Sequence, residues 1–238
     1  DACHARYFGP EEVLDQELSA VETDSRGVTK GTLFVAIPGE RVDGHKFIPD
    51  VYAKGAACAL SQQELTDPAG PYLLVEDTQQ ALKEAAESYR QTLDIPVIGI
   101  TGSVGKTSTK EMIASILSQK YNVLKTQGNF NNELGVPLTI FRIGEEHEVA
   151  VVEMGMNHYG EMHRLSKMVR PTHCVFTNIG VAHLEFLGSR DGILKAKCEM
   201  FDYAADDVKA FVNGDDDKLI TLKDIARTFG MDPSRDVW

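Results

Sequence analysis

The segment at residues 97–110, VIGITGSVGKTSTK, constrains the fold of this chain more than any other. An apolar run leads into a glycine-containing loop that ends in Gly-Lys-Thr, and a helix-like segment follows. Strand, loop and helix in this order are the context that a phosphate-binding loop requires. The common spacing G-x-x-x-x-G-K-[ST] needs a glycine at position 100, where Ile100 stands, and the loop's first glycine is Gly102. The segment therefore predicts either a more compact phosphate loop or a glycine-rich turn.

A phosphate loop of this kind uses its backbone and two side chains. Loop N–H groups and the following helix N-terminus would hold phosphate oxygens. Lys106 would bring a positive charge to the outer phosphates, and the Thr107 hydroxyl would bind Mg²⁺. The alternative is a tight strand–helix turn with a solvated lysine. The Gly-Lys-Thr ending in this context favours the phosphate loop.

The helix after the loop is predicted from the spacing of its apolar residues. An inward stripe is expected to consist of Met112, Ile113, Ile116 and Leu117. Lys110 and Glu111 lie off this stripe.

Apolar runs after the loop predict a parallel sheet. The runs at 150–155, 173–180 and 209–215 each end in a polar or glycine cluster, and helical stretches near 161–169 and 192–204 separate them. Continuous apolar runs are typical of parallel strands that are covered on both faces. We therefore expect an α/β fold with a doubly wound, mostly parallel sheet, in which ligands bind at the carboxyl ends of the strands.

The first 90 or so residues predict a smaller α/β domain. Apolar runs at 33–37, 57–61 and 72–76 alternate with helical spacing, most clearly over TQQALKEAAESYRQTL. Pro96 opens the next block. The expected domains are residues 1–94 and residues 95–238.

The acidic composition excludes several classes of partner. The net charge of −12 argues against nucleic acid and anionic membranes, because their phosphates repel an acidic surface. No apolar run approaches the roughly 20 residues that span a bilayer, and the N-terminus does not resemble a signal peptide.

The four cysteines form no C-x-x-C pair and are expected to be reduced thiols of a cytoplasmic protein. Because the chain begins with Asp1 and stops abruptly at Trp238, we expect a piece of a longer protein.

Polar residues follow the predicted strands where their carboxyl ends meet. Glu153 has the position of a carboxylate that holds Mg²⁺, although a strand-end glutamate facing water is the alternative. His183 follows another strand end, where a metal ligand and a structural histidine are equally good interpretations. Asn178, earlier in that segment, is a candidate for donating to phosphate or positioning water. GNFNNELGVPLT at 128–139 suits a polar substrate beside a nucleotide, but Pro137 and the glycines also suit an ordinary loop.

Five motifs in this order resemble the Mur ligases of peptidoglycan synthesis. They are TGSVGKTS (101–108), TQGNFNNELGVPLT (126–139), VVEMGMNHYGE (151–161), NIGVAHLEFLGS (178–189) and KAKCEMF (195–201). The compact T-G-x-x-G-K-T loop is this family's form of the phosphate loop. The N-terminal TDSRGVTKGTLFVAIPGERVDGHKF is similar to the family's UDP-substrate domain. The resemblance covers nearly the whole chain and implies a UDP-substrate domain at 1–94 and an incomplete central ATP-binding domain at 95–238.

The resemblance also implies roles for the matching residues. Nucleotide binding would involve Gly102, Ser103, Val104, Gly105, Lys106, Thr107, Ser108 and Asn178. One Mg²⁺ would be bound by Thr107 and Glu153, and a second by His183 and a carbamylated Lys197. The catalytic residues would be Lys106, His183 and Lys197. The substrate-binding residues would be Asp24, Ser25, Arg26, Asn129, Asn131 and Asn132. Without the resemblance, Lys195 and Lys197 would be interpreted as a solvated helix face.

The activity that the resemblance implies is an ATP-dependent amide ligation. The motifs match the branch of the family that joins D-alanyl-D-alanine to UDP-N-acetylmuramoyl-tripeptide through an acyl phosphate, giving ADP and phosphate. The expected cofactors are ATP, two Mg²⁺ ions and the carbamylated lysine. The expected protein is a cytoplasmic monomer that is not inserted into a membrane, and this chain is expected to be inactive alone.

Three alternatives stay open. The first is the related ligase that adds the third amino acid of the peptide. The second is a kinase or nucleotide-driven switch, which would need no carbamylated lysine. The third is a non-catalytic module that binds a nucleotide or a UDP-sugar.

Overall fold

The computed structural model describes residues 2–39, 41–229, 231–234 and 236–238. The chain forms two compact units, residues 1–88 and residues 89–238. Each unit contains a five-stranded sheet with helices. The predicted α/β fold class with a mostly parallel sheet is confirmed. The functional division at residues 94 and 95 stays a prediction.

The first unit is built on a sheet with the strand order β1-β5-β4-β3-β2. Its strands are β1 (Arg6–Phe8), β2 (Ala20–Glu22), β3 (Thr32–Val35), β4 (Cys58–Ser61) and β5 (Tyr72–Leu74). Only the pairing of β1 with β5 is antiparallel. The helices are α1 (Ile48–Ala53) and α2 (Thr78–Gln91), and 3-10 turns span Glu11–Val13 and Gly44–Phe47. Phe34 of β3 and Ala59 of β4 are fully buried in the core and Tyr72 of β5 is 3% exposed, which explains the three apolar runs that predict these strands.

The second unit is built on an all-parallel sheet with the order β10-β9-β6-β8-β7. Its strands are β6 (Val97–Thr101), β7 (Val123–Lys125), β8 (Val149–Glu153), β9 (His173–Phe176) and β10 (Lys209–Val212). The helices are α3 (Lys106–Leu117), α4 (Gly135–Ile140), α5 (Glu161–Val169), α6 (Leu184–Leu187), α7 (Arg190–Cys198) and α8 (Leu222–Ile225). 3-10 turns span Glu199–Phe201, Leu219–Thr221 and Ala226–Phe229. Because β6 is the central strand, the loop that follows it lies between the ends of β8 and β9.

The predicted inward stripe of α3 is wrong in part. Met112 and Ile116 are 59% and 72% exposed, whereas Lys110 is 1% exposed. The inward face carries Ala114, which packs with Ile100 of β6 and with β8. A small alanine lets the helix lie close to the sheet, and Lys110, one turn earlier, is therefore carried inward.

Two further observations concern the cysteines and the lengths of the helices. All four cysteines are free, and burial raises the pKa of Cys58 to about 11 and that of Cys198 to about 12. In the described ranges, no helix is both long enough and apolar enough to cross a membrane.

Candidate functional site

The loop between β6 and α3 has the geometry of a tight anion-binding turn. Gly102 has φ +148°, and a Cβ there would overlap Thr177 Oγ1. Gly105 has φ +86° and forms the N-cap of α3. Ile100, where the common spacing needs a glycine, is a buried residue inside β6. The loop therefore begins two residues later than the common spacing would place it, because β6 continues to Thr101.

A second segment, Thr177–Gly180, braces this loop. The Asn178 Oδ1 accepts hydrogen bonds from the Ser103 and Val104 N–H groups at 3.1 and 2.9 Å. The Thr177 hydroxyl donates to Val104 O at 2.6 Å, and the Gly180 N–H donates to Ser103 Oγ at 2.9 Å. The N–H groups of Ser103 and Val104 are thus engaged by the brace. The first N–H groups of α3, those of Lys106, Thr107 and Ser108, have no partners within the helix and are suited to bind an anion.

The Lys106 side chain lies over the loop. Its Nζ donates to Gly102 O at 2.9 Å. Burial lowers the pKa of Lys106, and the nearby charge of Glu153 opposes that shift. A half-buried ammonium at a helix N-terminus is an unfavourable arrangement of positive charge that bound phosphate would relieve.

Glu153 ends β8 and is held by three neighbouring elements. Its Oε2 accepts from the Thr107 hydroxyl at 2.9 Å, and its Oε1 accepts from Asn131 Nδ2 at 2.8 Å. Its N–H donates to Thr126 Oγ1 at 3.0 Å, and the residue is 2% exposed. Hydroxyl and carboxylate oxygens are the ligands that Mg²⁺ takes in phosphate-loop sites. The donor chemistry of Thr107 and Glu153 therefore fits the metal that the sequence predicts there.

Lys197 and His183 lie near the same site. Lys197, on α7, is 2% exposed, and burial followed by the charge of Lys106 lowers its pKa to about 7. The pKa of His183 is lowered by burial and then by the charges of Lys197 and Lys106. His183 also has φ +65° at the N-cap of α6. The solvated helix face inferred from residue type alone is thus wrong for Lys197, whereas Lys195 is exposed as that interpretation expects.

The structure separates the three candidate asparagines of the 128–139 segment. Asn131 reaches Glu153. The Asn132 Oδ1 instead accepts from Leu134 N and Gly135 N, a turn that leads into α4. Asn129 is exposed. Asn131 thus lies beside Glu153 and Asn132 organises the loop, while a substrate-binding role of this segment stays a prediction.

Asp24, Ser25 and Arg26 form an exposed turn in the first unit. Arg26 donates to both carboxylate oxygens of Asp24, and these bonds lower the pKa of Asp24 to about 2. Lys54 Nζ donates to Ser25 O at 2.5 Å. The guanidinium is 88% exposed, so its outer edge faces solvent.

Two residues outside the predicted set contribute to the site. Thr126 fixes the Glu153 backbone, and the Lys110 Nζ lies 3.8 Å from Glu153 Oε2. Lys110 is four residues after Lys106, so helical spacing alone could have indicated that the two lysines share a face.

In the described part of the chain, no group of three or more His, Cys, Asp and Glu side chains is placed to hold a metal ion. Ligands other than these side chains are thus needed to complete a magnesium site here.

Comparison with known proteins assigns both halves of the chain to one group of enzymes. Residues 100–235 match the model "Mur ligase middle domain", and residues 17–90 match "Mur ligase family, catalytic domain". Among curated relatives, the UDP-N-acetylmuramoyl-tripeptide--D-alanyl-D-alanine ligase of Bacillus subtilis is 42% identical over 85% of this chain and 45% of its own length. The Escherichia coli enzyme of the same name is also 42% identical, over 94% of this chain and 48% of its own. The chain spans about half the length of the curated relatives it matches.

Solved structures show the same similarity. A crystal structure of MurF from Acinetobacter baumannii has a TM-score of 0.85 and 38% identity, covering 95% of this chain and 50% of that one. MurF ligase from Thermotoga maritima, solved in complex with ADP, has a TM-score of 0.78 and 31% identity over 96% and 51% of the two chains. The resemblance inferred from the five motifs is confirmed.

Proposed function

Because this chain belongs to the Mur ligase family, we propose that it is the first half of a ligase that joins D-alanyl-D-alanine to UDP-N-acetylmuramoyl-tripeptide. The observation that carries the proposal is the contact between Thr107 and Glu153 beside the phosphate loop. Relatives that are 42% identical and named for this reaction support the choice of substrates. In this proposal residues 1–94 bind the UDP-linked substrate and residues 95–238 bind ATP.

The second unit would bind the phosphates of ATP through groups already in place. The N–H groups that begin α3 would hold phosphate oxygens. The Lys106 ammonium would give up its hydrogen bond to Gly102 O and donate to the outer phosphates instead. Thr107 and Glu153 would hold one Mg²⁺, which neutralises the phosphate charge during transfer. The peptide carboxylate takes the terminal phosphoryl group and becomes an acyl phosphate, with ADP released. The dipeptide amine then attacks the acyl carbon, the amide bond forms and phosphate leaves.

Lys197 and His183 would hold the second Mg²⁺ in this proposal. A buried amine whose pKa is about 7 is largely neutral at physiological pH. Only the neutral amine attacks CO₂, and the product is a carbamate anion with release of one proton. Such an anion would place a negatively charged metal ligand beside Lys106. The carbamylation of Lys197 stays a prediction that rests on the KAKCEMF motif at 195–201.

The remaining substrate contacts are proposed from the motifs. Asp24, Ser25 and Arg26 would contact the uracil or diphosphate, since the exposed guanidinium edge suits an anion. Asn129, Asn131 and Asn132 would line the path of the peptide. We further propose a cytoplasmic monomer, because ATP and UDP-linked precursors are cytoplasmic substrates.

The test is a product assay on the longer protein that contains this chain. ATP and UDP-N-acetylmuramoyl-tripeptide are incubated with and without D-alanyl-D-alanine, and products are identified by mass. The expected result is an amide that depends on the dipeptide, together with ADP and phosphate. Lys106→Met should lower the rate by at least about 100-fold, because it removes the charge that faces the outer phosphates. Lys120→Met, a substitution in an exposed lysine, is the matched control.

The alternatives give different products. A single amino acid accepted in place of the dipeptide would identify the related ligase that adds the third residue. Phosphorylation of a hydroxyl without the dipeptide would identify a kinase. Binding of ATP or the UDP-substrate without any turnover would identify a binding module, and each of these three outcomes contradicts the proposal.

A further inference from the structure

Lys110 is a buried cation that the proposed reaction does not use. It lies on the inward face of α3, one turn after Lys106, with 1% of its surface exposed. Burying a lysine ammonium is unfavourable unless anions compensate its charge. The partners of Lys110 therefore indicate why the position carries a lysine.

Two carboxylates flank the Lys110 ammonium. Its Nζ lies 3.3 Å from Glu111 Oε1 and 3.8 Å from Glu153 Oε2. The other oxygen of Glu111 pairs with Lys125 at the end of β7. The charges thus alternate along a chain of four residues, from the exposed Lys125 and Glu111 through Lys110 to the buried Glu153. Through this chain Lys110 is linked to Lys125 of β7 and to Glu153 of β8.

The same oxygen of Glu153 faces both Lys110 and Thr107. Oε2 is the oxygen that accepts from the Thr107 hydroxyl, and these two groups are the proposed ligands of the first Mg²⁺. A fixed positive charge at 3.8 Å from this oxygen lowers its attraction for a second cation. Lys106, the residue before Thr107, brings a second ammonium to the same loop, where its Nζ donates to Gly102 O at 2.9 Å.

The site therefore has too little negative charge to hold a divalent cation by itself. Over the residues that the structure describes, no cluster of three or more acidic or histidine side chains is available to bind one. Phosphate oxygens of a nucleotide would supply the missing ligands and outweigh the two ammonium charges.

We propose that Lys110 is a positioning residue which, by pairing with Glu153, makes divalent cation binding at the phosphate loop conditional on nucleotide. This inference rests on the proposed function for the identity of the nucleotide, but not for the pairing itself. Lys110 keeps the Glu153 carboxylate oriented toward Thr107 while no metal is bound. The cation then enters with the phosphates, so the protein does not hold a metal in a nucleotide-free site.

The test measures Mn²⁺ binding, with the free ion followed by electron paramagnetic resonance. Wild-type chain, Lys110→Met and Lys120→Met are titrated with Mn²⁺ in the absence and in the presence of ADP. Lys120 is exposed just beyond the C-terminus of α3, so its substitution makes the same change in net charge without touching Glu153. The wild type and Lys120→Met are expected to bind Mn²⁺ weakly without ADP. Lys110→Met is expected to bind it at least about tenfold more tightly without ADP, because one positive charge beside Glu153 is removed.

A gain of metal affinity is not expected from a residue that only supports the fold. A folded Lys110→Met that binds Mn²⁺ no more tightly than the wild type would overturn the proposal. So would wild-type Mn²⁺ binding that is equally tight with and without ADP, provided that calorimetry shows ADP to be bound. Circular dichroism checks the fold of each variant, and Lys110→Gln replaces Lys110→Met if the latter does not fold. If neither variant folds, Lys110 belongs to the core alone and the proposal is wrong. Failure of the wild type to bind ADP would count against the proposed function, while the comparison without ADP would still decide the role of Lys110.

Discussion

Gly102 shows how one residue sets the geometry of the phosphate loop. Its φ of +148° and the overlap that a Cβ would make with Thr177 Oγ1 leave no room for a side chain. The loop approaches Thr177 this closely because the Thr177 hydroxyl donates to Val104 O. The glycine is therefore required both by the backbone conformation and by the brace.

We predict that Gly102→Ala weakens ADP binding and lowers the free energy of unfolding by about 1–3 kcal/mol, the usual range for a strained backbone position. Isothermal calorimetry and urea denaturation measure the two effects. Gly214→Ala is the control, because a Cβ at Gly214 meets nothing within 4 Å. Adding Thr177→Ala to Gly102→Ala should restore part of the loss, and an unchanged loss in the double variant would contradict this explanation.

Lys197 is the second residue whose environment makes a definite prediction. With a pKa of about 7, the amine is mostly neutral above that pH and mostly protonated below it. The chain incubated with ¹³C-bicarbonate should give a carbamate NMR signal that is stronger at about pH 8 than at about pH 6, because CO₂ reacts with the neutral amine only. Lys197→Ala should abolish the signal and Lys195→Ala, at an exposed position, should leave it. A signal that survives Lys197→Ala would show that another amine is modified.

Residue type alone could not show that Lys110 and Lys197 are buried. Apolar periodicity puts Met112 and Ile116 inward, but Ala114 and Lys110 occupy that face. The periodicity fails because the residue that contacts the sheet is the smallest apolar one, and because a buried lysine is counted as polar. By contrast, Thr107 and Glu153 could be predicted as a pair. Thr107 closes the loop after one apolar run and Glu153 ends another, and the carboxyl ends of parallel strands meet at one edge of the sheet.

At the scale of elements, the segment Thr177–Gly180 joins the end of β9 to the phosphate loop. Asn178 accepts two N–H groups of the loop, and Ile179 N donates to Asp216 Oδ2 on the other side. The Asn178 Oδ1 thus holds the loop, and the expectation that this side chain donates to phosphate or positions water stays a prediction. Its proposed role in nucleotide binding is then to fix the loop.

We predict that Asn178→Ala and Asn178→Asp separate these two roles. Asn178→Ala leaves the Val104 N–H without its side-chain acceptor, while the Ser103 N–H keeps only its bond to the backbone carbonyl of residue 178. The variant should therefore lower both the free energy of unfolding, by about 1–3 kcal/mol, and ADP affinity. Asn178→Asp keeps an acceptor oxygen, so it should keep most of the stability, but its charge should weaken ADP binding. Thermal denaturation and calorimetry test both variants against Asn213→Ala in an exposed turn. Unchanged stability in Asn178→Ala would contradict the bracing role.

The elements themselves were predictable to different degrees. The long apolar strands β6, β8 and β9 are evident from their runs, because both faces of a parallel sheet are buried. The three-residue strands β1, β2 and β7 have no comparable pattern, and they form because a neighbouring strand offers hydrogen bonds. The brace between Asn178 and Ser103 joins residues 75 positions apart, so it follows only once β6 and β9 are known to be neighbours.

At the scale of the whole molecule, the chain contains two units and spans about half the length of the curated ligases that it matches. The relatives are matched over 45% and 48% of their own lengths. The proposed residues for phosphates and the first Mg²⁺ all lie within the second unit, residues 89–238. In the proposed function, nucleotide binding and ligation are therefore separable, because the groups proposed for nucleotide binding all lie in residues 89–238.

We predict that the purified chain binds ADP with Mg²⁺ but forms no amide from ATP, UDP-N-acetylmuramoyl-tripeptide and D-alanyl-D-alanine. The reason is that the proposed groups of this chain hold and activate the carboxylate side of the reaction, and none of them is assigned to the dipeptide. Calorimetry measures ADP binding, with Lys106→Met as the variant expected to lose it, and mass spectrometry measures amide formation against the longer protein as the positive control. Steady amide production by the chain, with no longer enzyme in the preparation, would show instead that a dipeptide site lies within residues 1–238.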